Sequence, residues 1–353
     1  MPQRGKRKRT ATVLSANLHA TTSSLSPVPL IDIGPLVRCT VIQRPSVRNK
    51  SPYVADVSVN GSNVVAVTHV PNIDSGGKLR QGAMILASKV PNVDENTFGK
   101  FGTPKCEYIC RLLWCKEEEN EGCWLSAHPA LGEQLAKALL ERGALDERLG
   151  TSAVVRDSIQ TQKMIKRAVT ESVSNSYRPD FAVTHEDGSV TILEVKQVVD
   201  SDYSREFVEA RARAQAPHPA YSINMPTTSY VRAGIFPWGK RGQKGPDGEK
   251  VVSARAIEHI RELTSMARTS LSPRPAILLM CGRGDVKGFR ANGAACPSFV
   301  KYLEQAQRAG VRVLCHSIRW GEGEDEGKAF DAGALELWPA LGDGDEFVCS
   351  SKQ

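Results

Sequence analysis

Arg178-Pro179-Asp180-Phe181-Ala182-Val183-Thr184, His185-Glu186-Asp187-Gly188-Ser189 and Val190-Thr191-Ile192-Leu193-Glu194-Val195-Lys196-Gln197-Val198-Val199 form the stretch that decides the fold. Asp187-Gly188 is a tight-turn signal between two β-prone runs, so the pattern predicts a hairpin. Side chains alternate faces along a strand, which places Glu194 and Lys196 on one face and Val195 on the other. Both faces are otherwise apolar (Val190, Ile192, Val198; Leu193, Val195, Val199), as in a central, doubly covered strand. Glu194 and Lys196 are then half-buried, which costs several kcal/mol unless they are paired or bound to a cation. Asp180, at the start of the partner strand, converges on the same spot.

Two carboxylates and a lysine at a sheet edge are what divalent-metal-dependent phosphodiester hydrolysis needs. A hard cation, Mg²⁺ or Mn²⁺, would take oxygens from Asp180, Glu194 and the Val195 backbone carbonyl and keep several waters. Lys196 would orient the attacking water or neutralise developing charge. The spacing D-x13-E-x-K is unspecific alone, since E-x-K arises by chance about once in a chain of this length and is commonly a surface ion pair. The hairpin and the apolar flanks are what raise it.

Working outward, Glu133–Arg142 has helical spacing of Leu135, Ala138, Leu139 and Leu140 and stops at Gly143. Ser253 caps a helix bearing Ile257, Ile260, Leu263 and Met266, and Ala276–Cys281 is an apolar strand. Pro297 opens a helix that Gly310 closes, and Val311–His316 is the next strand. Strand and helix in alternation predict an α/β unit whose sheet is at least partly parallel. Upstream, Tyr53–Val59, an Asn60-Gly61 turn, Val64–Val70, Ala83–Ser88 and Glu107–Trp114 read as short strands of a small barrel or sandwich. Such a barrel offers a face for single-stranded nucleic acid, although the strand pattern alone favours simple packing on its neighbour. The resulting division is a disordered basic tail (1–31), a β-barrel (32–116), an acidic linker (117–126), an α/β domain (127–342) and a short C-terminal tail (343–353).

The chain has 353 residues, 41% hydrophobic and 24% charged, which excludes disorder throughout. No apolar run approaches the ~20 residues of a membrane helix, so no membrane partner is expected. The net charge of +7 favours a polyanion only weakly, because part of the excess lies in Lys6-Arg7-Lys8-Arg9. That tail reads equally as a nuclear address, an organellar transit peptide or a solvated extension. Nine cysteines without a framework rhythm indicate a reducing, intracellular setting. Cys106, Cys110, Cys115 and Cys123 match no closed zinc pattern and read as small buried hydrophobes.

The order of short motifs resembles the SfsA (sugar fermentation stimulation protein) family from about Val41 to Leu341. The residues that carry it are Ala55-Asp56-Val57 leading to His69-Val70-Pro71-Asn72; Ser176-Tyr177-Arg178-Pro179-Asp180-Phe181; Glu194-Val195-Lys196-Gln197-Val198; Phe236-Pro237; Ser253–Leu263; and Ala306–His316. The resemblance implies an OB-like barrel followed by a restriction-endonuclease-like PD-(D/E)XK domain, a mixed sheet flanked by helices. It places Asp180, Glu194 and Lys196 on the catalytic positions, with Asp180, Glu194 and the Val195 carbonyl as metal ligands. Arg178, Arg255, His259 and Asn72 would contact nucleic acid.

The departures bear on catalysis. Ala168 or Val169 stands where the family carries a further Glu, with Glu171 a shifted substitute. Trp238 follows Phe-Pro in place of an Asp unless Asp247 replaces it, Glu258 replaces a lysine, and Cys296 an acid. Inserts at 201–230 and 238–250 interrupt the core, the second reading either as a basic loop over nucleic acid or as a disordered insertion. Two functions stand at this point: a metal-dependent nuclease on DNA or RNA, or a non-catalytic, regulatory DNA-binding protein on a degenerate nuclease fold. A homodimer is left open.

Overall fold

The computed structural model describes residues 27–341 and 347–348, except 73–74, 118–121, 151, 163–164, 167–175, 217, 224–228 and 270–271. Most of the basic tail, the candidate acid Glu171 with Ala168 and Val169, and nearly all of the C-terminal tail lie outside the described residues.

Five strands close the N-terminal barrel: β1 (Val37–Gln43), β2 (Val54–Val59), β3 (Val65–His69), β4 (Met84–Lys89) and β5 (Tyr108–Cys115). β1 pairs with β2 and β4, β2 with β3, and β4 with β5, all antiparallel; a parallel contact between β3 and β5, Thr68 opposite Tyr108, shuts the ring. The strand order around the closed ring is 1-2-3-5-4-1. Its interior is small because the fillers are small and β-branched: Val41, Ala55, Val57, Ala66, Ile85 and Ala87 are buried there, with Cys39, Cys110 and Cys115 acting as further small apolar residues.

A sixth strand, β6 (Cys123–Ser126), pairs antiparallel with β5, Leu113 opposite Leu125. This corrects the boundary drawn at 117–126, because Cys123-Trp124-Leu125-Ser126 within it is sheet. The start of the folded region also moves. Leu30 is buried and Ile31 pairs with Ala329, so the chain is anchored to the second sheet before residue 32.

The C-terminal half is a mixed sheet built on β7 (Phe181–Thr184), β8 (Val190–Val198), β9 (Ala233–Phe236), β10 (Arg274–Cys281), β11 (Gly288–Asn292), β12 (Arg312–Trp320) and β13 (Lys328–Leu341). β7 and β8 form the expected hairpin, while β8, β10 and β12 run parallel side by side. β13, long enough to serve two neighbours, pairs antiparallel with β12 and parallel with β11. Helices α1 (Ala130–Glu141), α2 (Arg205–Arg213), α3 (Ala254–Thr269) and α4 (Pro297–Arg308) complete this half.

The two faces of β8 serve different cores. Leu193 and Val195 join α1, Trp124 and Trp320 in the layer shared with the barrel, and Ile192 and Val198 face α3 and α4. Glu194 and Lys196, in step with Ile192 and Val198, therefore point toward α3. The insert at 238–250 is an ordered hairpin rather than a disordered insertion. Gln243–Lys244 pairs with Lys250–Val251, and the Asp247 carboxylate accepts from Lys301 Nζ and Tyr302 Oη, both at 3.0 Å. Asp247 is thereby tied to α4 rather than offered to the cleft described next. Among the described residues no helix is long and apolar enough to cross a membrane.

Candidate active site at the sheet edge

The last rung between β7 and β8 joins Phe181 to Leu193, so Asp180 stands one step beyond the ladder, opposite Glu194. Its carboxylate takes over the missing rung: Asp180 Oδ2 accepts from the Val195 N–H at 2.7 Å. A strand residue sends its N–H and C=O to the same edge, so the Val195 carbonyl faces Asp180 as well. The three expected oxygen sources are thus on one edge.

Glu194 is 1% exposed and its carboxylate is heavily engaged. Oε2 accepts from Tyr177 Oη at 2.6 Å, Oε1 accepts from Lys196 Nζ at 2.6 Å, and His259 Nδ1 reaches the same Oε1. Arg255, one turn earlier on α3, donates Nε to His259 Nε2 at 3.3 Å, which leaves the Nδ1–H to face Glu194. The ring of Tyr177 meets that of His259 edge-on, centroids 5.8 Å apart. Arg178 lines the cleft, its guanidinium held by Gln162 through the backbone carbonyl at 3.1 Å and the side-chain oxygen.

The cleft holds about 390 Å³ and its acidity exceeds what the sequence suggested: Glu133 from α1 and Glu258 and Glu262 from α3 line it beside Asp180. The α3 contribution was legible, because Arg255, Glu258, His259 and Glu262 recur at i, i+3, i+4 and i+7, opposite the buried Ile257, Ile260 and Leu263. Glu133, Gln162 and the Tyr177 hydroxyl carried no comparable signal. Asn72 lies elsewhere, on the barrel, where its Oδ1 accepts from the Ser75 N–H at 3.0 Å.

The electrostatics separate the two acids. Burial alone would raise Glu194, but the His259 hydrogen bond and the Lys196 charge overcome it and hold the carboxyl at about 2. Asp180 goes the other way. Burial and then the charge of Glu194 push it up to about 6, against which the Val195 N–H and Lys196 are insufficient. Burial and the Glu194 charge likewise raise Tyr177, so it stays a neutral donor. A buried carboxylate with too little positive charge beside it is the donor chemistry a divalent cation satisfies. Among the described residues no three His, Cys, Asp or Glu side chains converge into a complete cage. The oxygens that could hold a cation are those of Asp180, Glu194 and the Val195 carbonyl, with water completing the shell, and such a set fits Mg²⁺ or Mn²⁺.

The architecture, a closed five-stranded barrel packed on a mixed α/β sheet with an acid–lysine edge, defines a class. The comparisons point to one family within it. The family model "Sugar fermentation stimulation protein RE domain" matches residues 246–324. The sugar fermentation stimulation protein homolog of Synechococcus sp. (strain CC9311) is 24% identical over 269 residues, 74% of this chain and 82% of the relative. That of Psychromonas ingrahamii is 22% identical over 271 residues, 76% and 91% of the two chains. A shorter match, 37% over 65 residues, joins 18% of this chain to 26% of the homolog from Jannaschia sp.. In structure, Pyrococcus furiosus SfsA, solved in complex with Ca²⁺, aligns over 88% of this chain and 99% of its own with a TM-score of 0.55 at 16% identity, a likeness of fold. The resemblance to the SfsA family, carried in the sequence by the order of its short motifs, is borne out.

Proposed function

We propose that this protein binds nucleic acid and hydrolyses its phosphodiester bonds with one Mg²⁺ or Mn²⁺ held by Asp180, Glu194 and the Val195 carbonyl. The observation that carries this is the meeting at one sheet edge of Asp180, which lines the cleft, with the buried Glu194, where Asp180 lacks the positive charge to stay comfortably ionised. The Ca²⁺ in the Pyrococcus furiosus relative supports a hard-cation site in this fold. A bound cation would supply Lewis acidity toward a phosphate oxygen and a nearby water.

The remaining work falls to the chain. Lys196, 2.6 Å from Glu194, holds that carboxylate anionic and sets an ammonium beside the reacting phosphate. His259 and Tyr177 fix the Glu194 rotamer, which preorganises the edge instead of leaving a mobile acid. Arg178, oriented by Gln162, is placed to meet a phosphate oxygen. The barrel contributes strand-binding surface.

A second reading, a non-catalytic DNA-binding protein, draws on the same Glu194. Both of its oxygens already have protein partners, as a retired metal ligand would. The two readings separate cleanly. Incubation with single- and double-stranded DNA and RNA should give degradation with Mg²⁺ or Mn²⁺, none with EDTA, and none in Asp180→Ala or Glu194→Ala while binding persists. Binding with a steep salt dependence and no cutting under any metal would establish the second.

A further inference from the structure

Two loops at one end of the barrel carry groups that neither the cleft nor the core uses. Between β4 and β5, residues 97–105 fold back on themselves: Phe98 bridges Pro104, Gly99 N–H donates to the Thr103 carbonyl at 2.8 Å, and Gly102 N–H donates to the Gly99 carbonyl at 3.0 Å. Lys100 and Phe101 form the apex, closed by Gly102 at φ +69°. Phe101 is 88% exposed and Phe98 54%. Aromatic surface held out into water on an ordered turn contributes nothing to folding.

The loop between β1 and β2 lies against this turn. Buried Asp56 accepts from Ser46 Oγ at 2.6 Å and from the Val47 N–H at 2.7 Å, and Asn49 Nδ2 donates to the Pro104 carbonyl at 3.2 Å, which joins the two loops. Tyr53, at the exit of that loop, is 42% exposed. Lys50, Lys100 and Lys105 form no ion pair among the described residues. Both loops are thus braced by their own hydrogen bonds and present aromatic rings among unneutralised cations.

We propose that these two loops hold an unpaired nucleic-acid strand, its bases stacked on Phe101 and Phe98 and its phosphates met by Lys50, Lys100 and Lys105. The inference rests on the nucleic-acid reading above and adds to it a strandedness and a stacking platform outside the cleft. Rings stack on exposed base faces, which a duplex keeps inside its own helix, so the platform selects single strands. The connections between strands 1 and 2 and between strands 4 and 5 of an OB-like barrel are also the ones that take oligonucleotides. The flanking lysines favour a polyanion over an apolar protein surface.

The test is fluorescence anisotropy of the full chain with a labelled mixed-sequence oligonucleotide, as single-stranded DNA, single-stranded RNA and duplex DNA, without divalent metal. Phe101→Ala should weaken single-strand binding about five- to hundredfold, with a further loss on adding Phe98→Ala, while Phe101→Tyr retains affinity and duplex binding barely moves. Lys100→Gln should lower the salt slope by about 1. Both positions are exposed turn residues, and circular dichroism would confirm that the variants fold. Equal affinity of wild type and Phe101→Ala for single strands, or parallel losses for single strand and duplex, would overturn the proposal while leaving the cleft's nucleic-acid reading intact. A wild type that binds no oligonucleotide would overturn both. Phosphatidylserine vesicles bound by wild type and released by Phe101→Ala, with oligonucleotide binding unchanged, would assign the loops to a membrane surface instead.

Discussion

At Asp180 the proposed function and stability conflict. Its carboxyl, about 3.8 in the unfolded chain, is raised to about 6 in the fold, so the folded state favours the protonated acid. That contribution is complete below pH ~4 and is lost as pH rises through about 6, above which the ionised carboxylate burdens the fold. Asp180→Asn keeps an acceptor for the Val195 N–H without the charge. It should raise stability at pH 7.5 by up to about 3 kcal/mol, read as a higher denaturant midpoint, and the gain should vanish below pH 4. On the proposed reading, a bound divalent cation would do the same job reversibly. Mg²⁺ at a hundredfold over its dissociation constant should stabilise the wild type by about 2.7 kcal/mol at pH 7.5 and leave Asp180→Asn nearly unchanged. Equal metal response in both proteins would remove Asp180 from the ligand set.

The strand that carries Glu194 was readable at the scale of elements because its pattern was strong at both levels. Asp187-Gly188 fixed the turn, with Gly188 at φ +78°, and apolar residues on both faces called for a central strand, as found between β7 and β10. The barrel strands at Val54, Val65, Met84 and Tyr108 began within a residue or two of their sequence signals. What escaped was decided by distant partners. Cys123–Ser126 reads as the tail of an acidic connection until β5 offers it an edge, and Ile31–Asp32 reads as tail until β13 does. Tyr177 and Glu133 enter the cleft only because separate elements meet there.

The same seam makes a stability prediction. Gly282, just past β10, donates its N–H to the Val198 carbonyl at 3.1 Å and accepts from the Ser126 N–H at 2.9 Å. A Cβ at Gly282 would stand 2.6 Å from Ser126 Oγ, which itself accepts from Trp320 Nε1 at 3.0 Å. Gly282→Ala should therefore cost roughly 1–3 kcal/mol in a denaturant titration, and Ser126→Ala should recover only part of it because Ser126 Cβ is also within 2.7 Å.

Across the whole molecule the barrel and the α/β half are locked by a buried charge cluster. Lys78, from the barrel, pairs with Asp200, immediately after β8, and lies 3.6 Å from Glu117. Arg283 contacts Glu117 at 3.2 Å and Asp285 at 2.6 Å, and Arg232 meets both acids at 3.5 Å. Tyr203 Oη donates to Glu117 at 2.8 Å and to Asp200 at 3.0 Å. Lys78, Arg232 and Arg283 balance Glu117, Asp200 and Asp285, so the cluster is neutral only when complete. Burial would raise Glu117, but Lys78 and Arg283 hold it at about 2. A depressed acid stabilises above its unfolded value and ceases to do so as pH falls through the folded one, so the lock should loosen between pH ~4.5 and ~2. Lys78→Met leaves two buried carboxylates undercompensated and should cost about 3–5 kcal/mol, and adding Asp200→Asn should return a substantial part by removing one of those charges. Because the cluster spans both halves, the loss should fall on their coupling. Tryptophan fluorescence and far-ultraviolet circular dichroism should report one coincident urea transition in the wild type and separate transitions in Lys78→Met. A single, barely shifted transition in that variant would mean that the apolar layer around Trp124 and Trp320 joins the halves unaided.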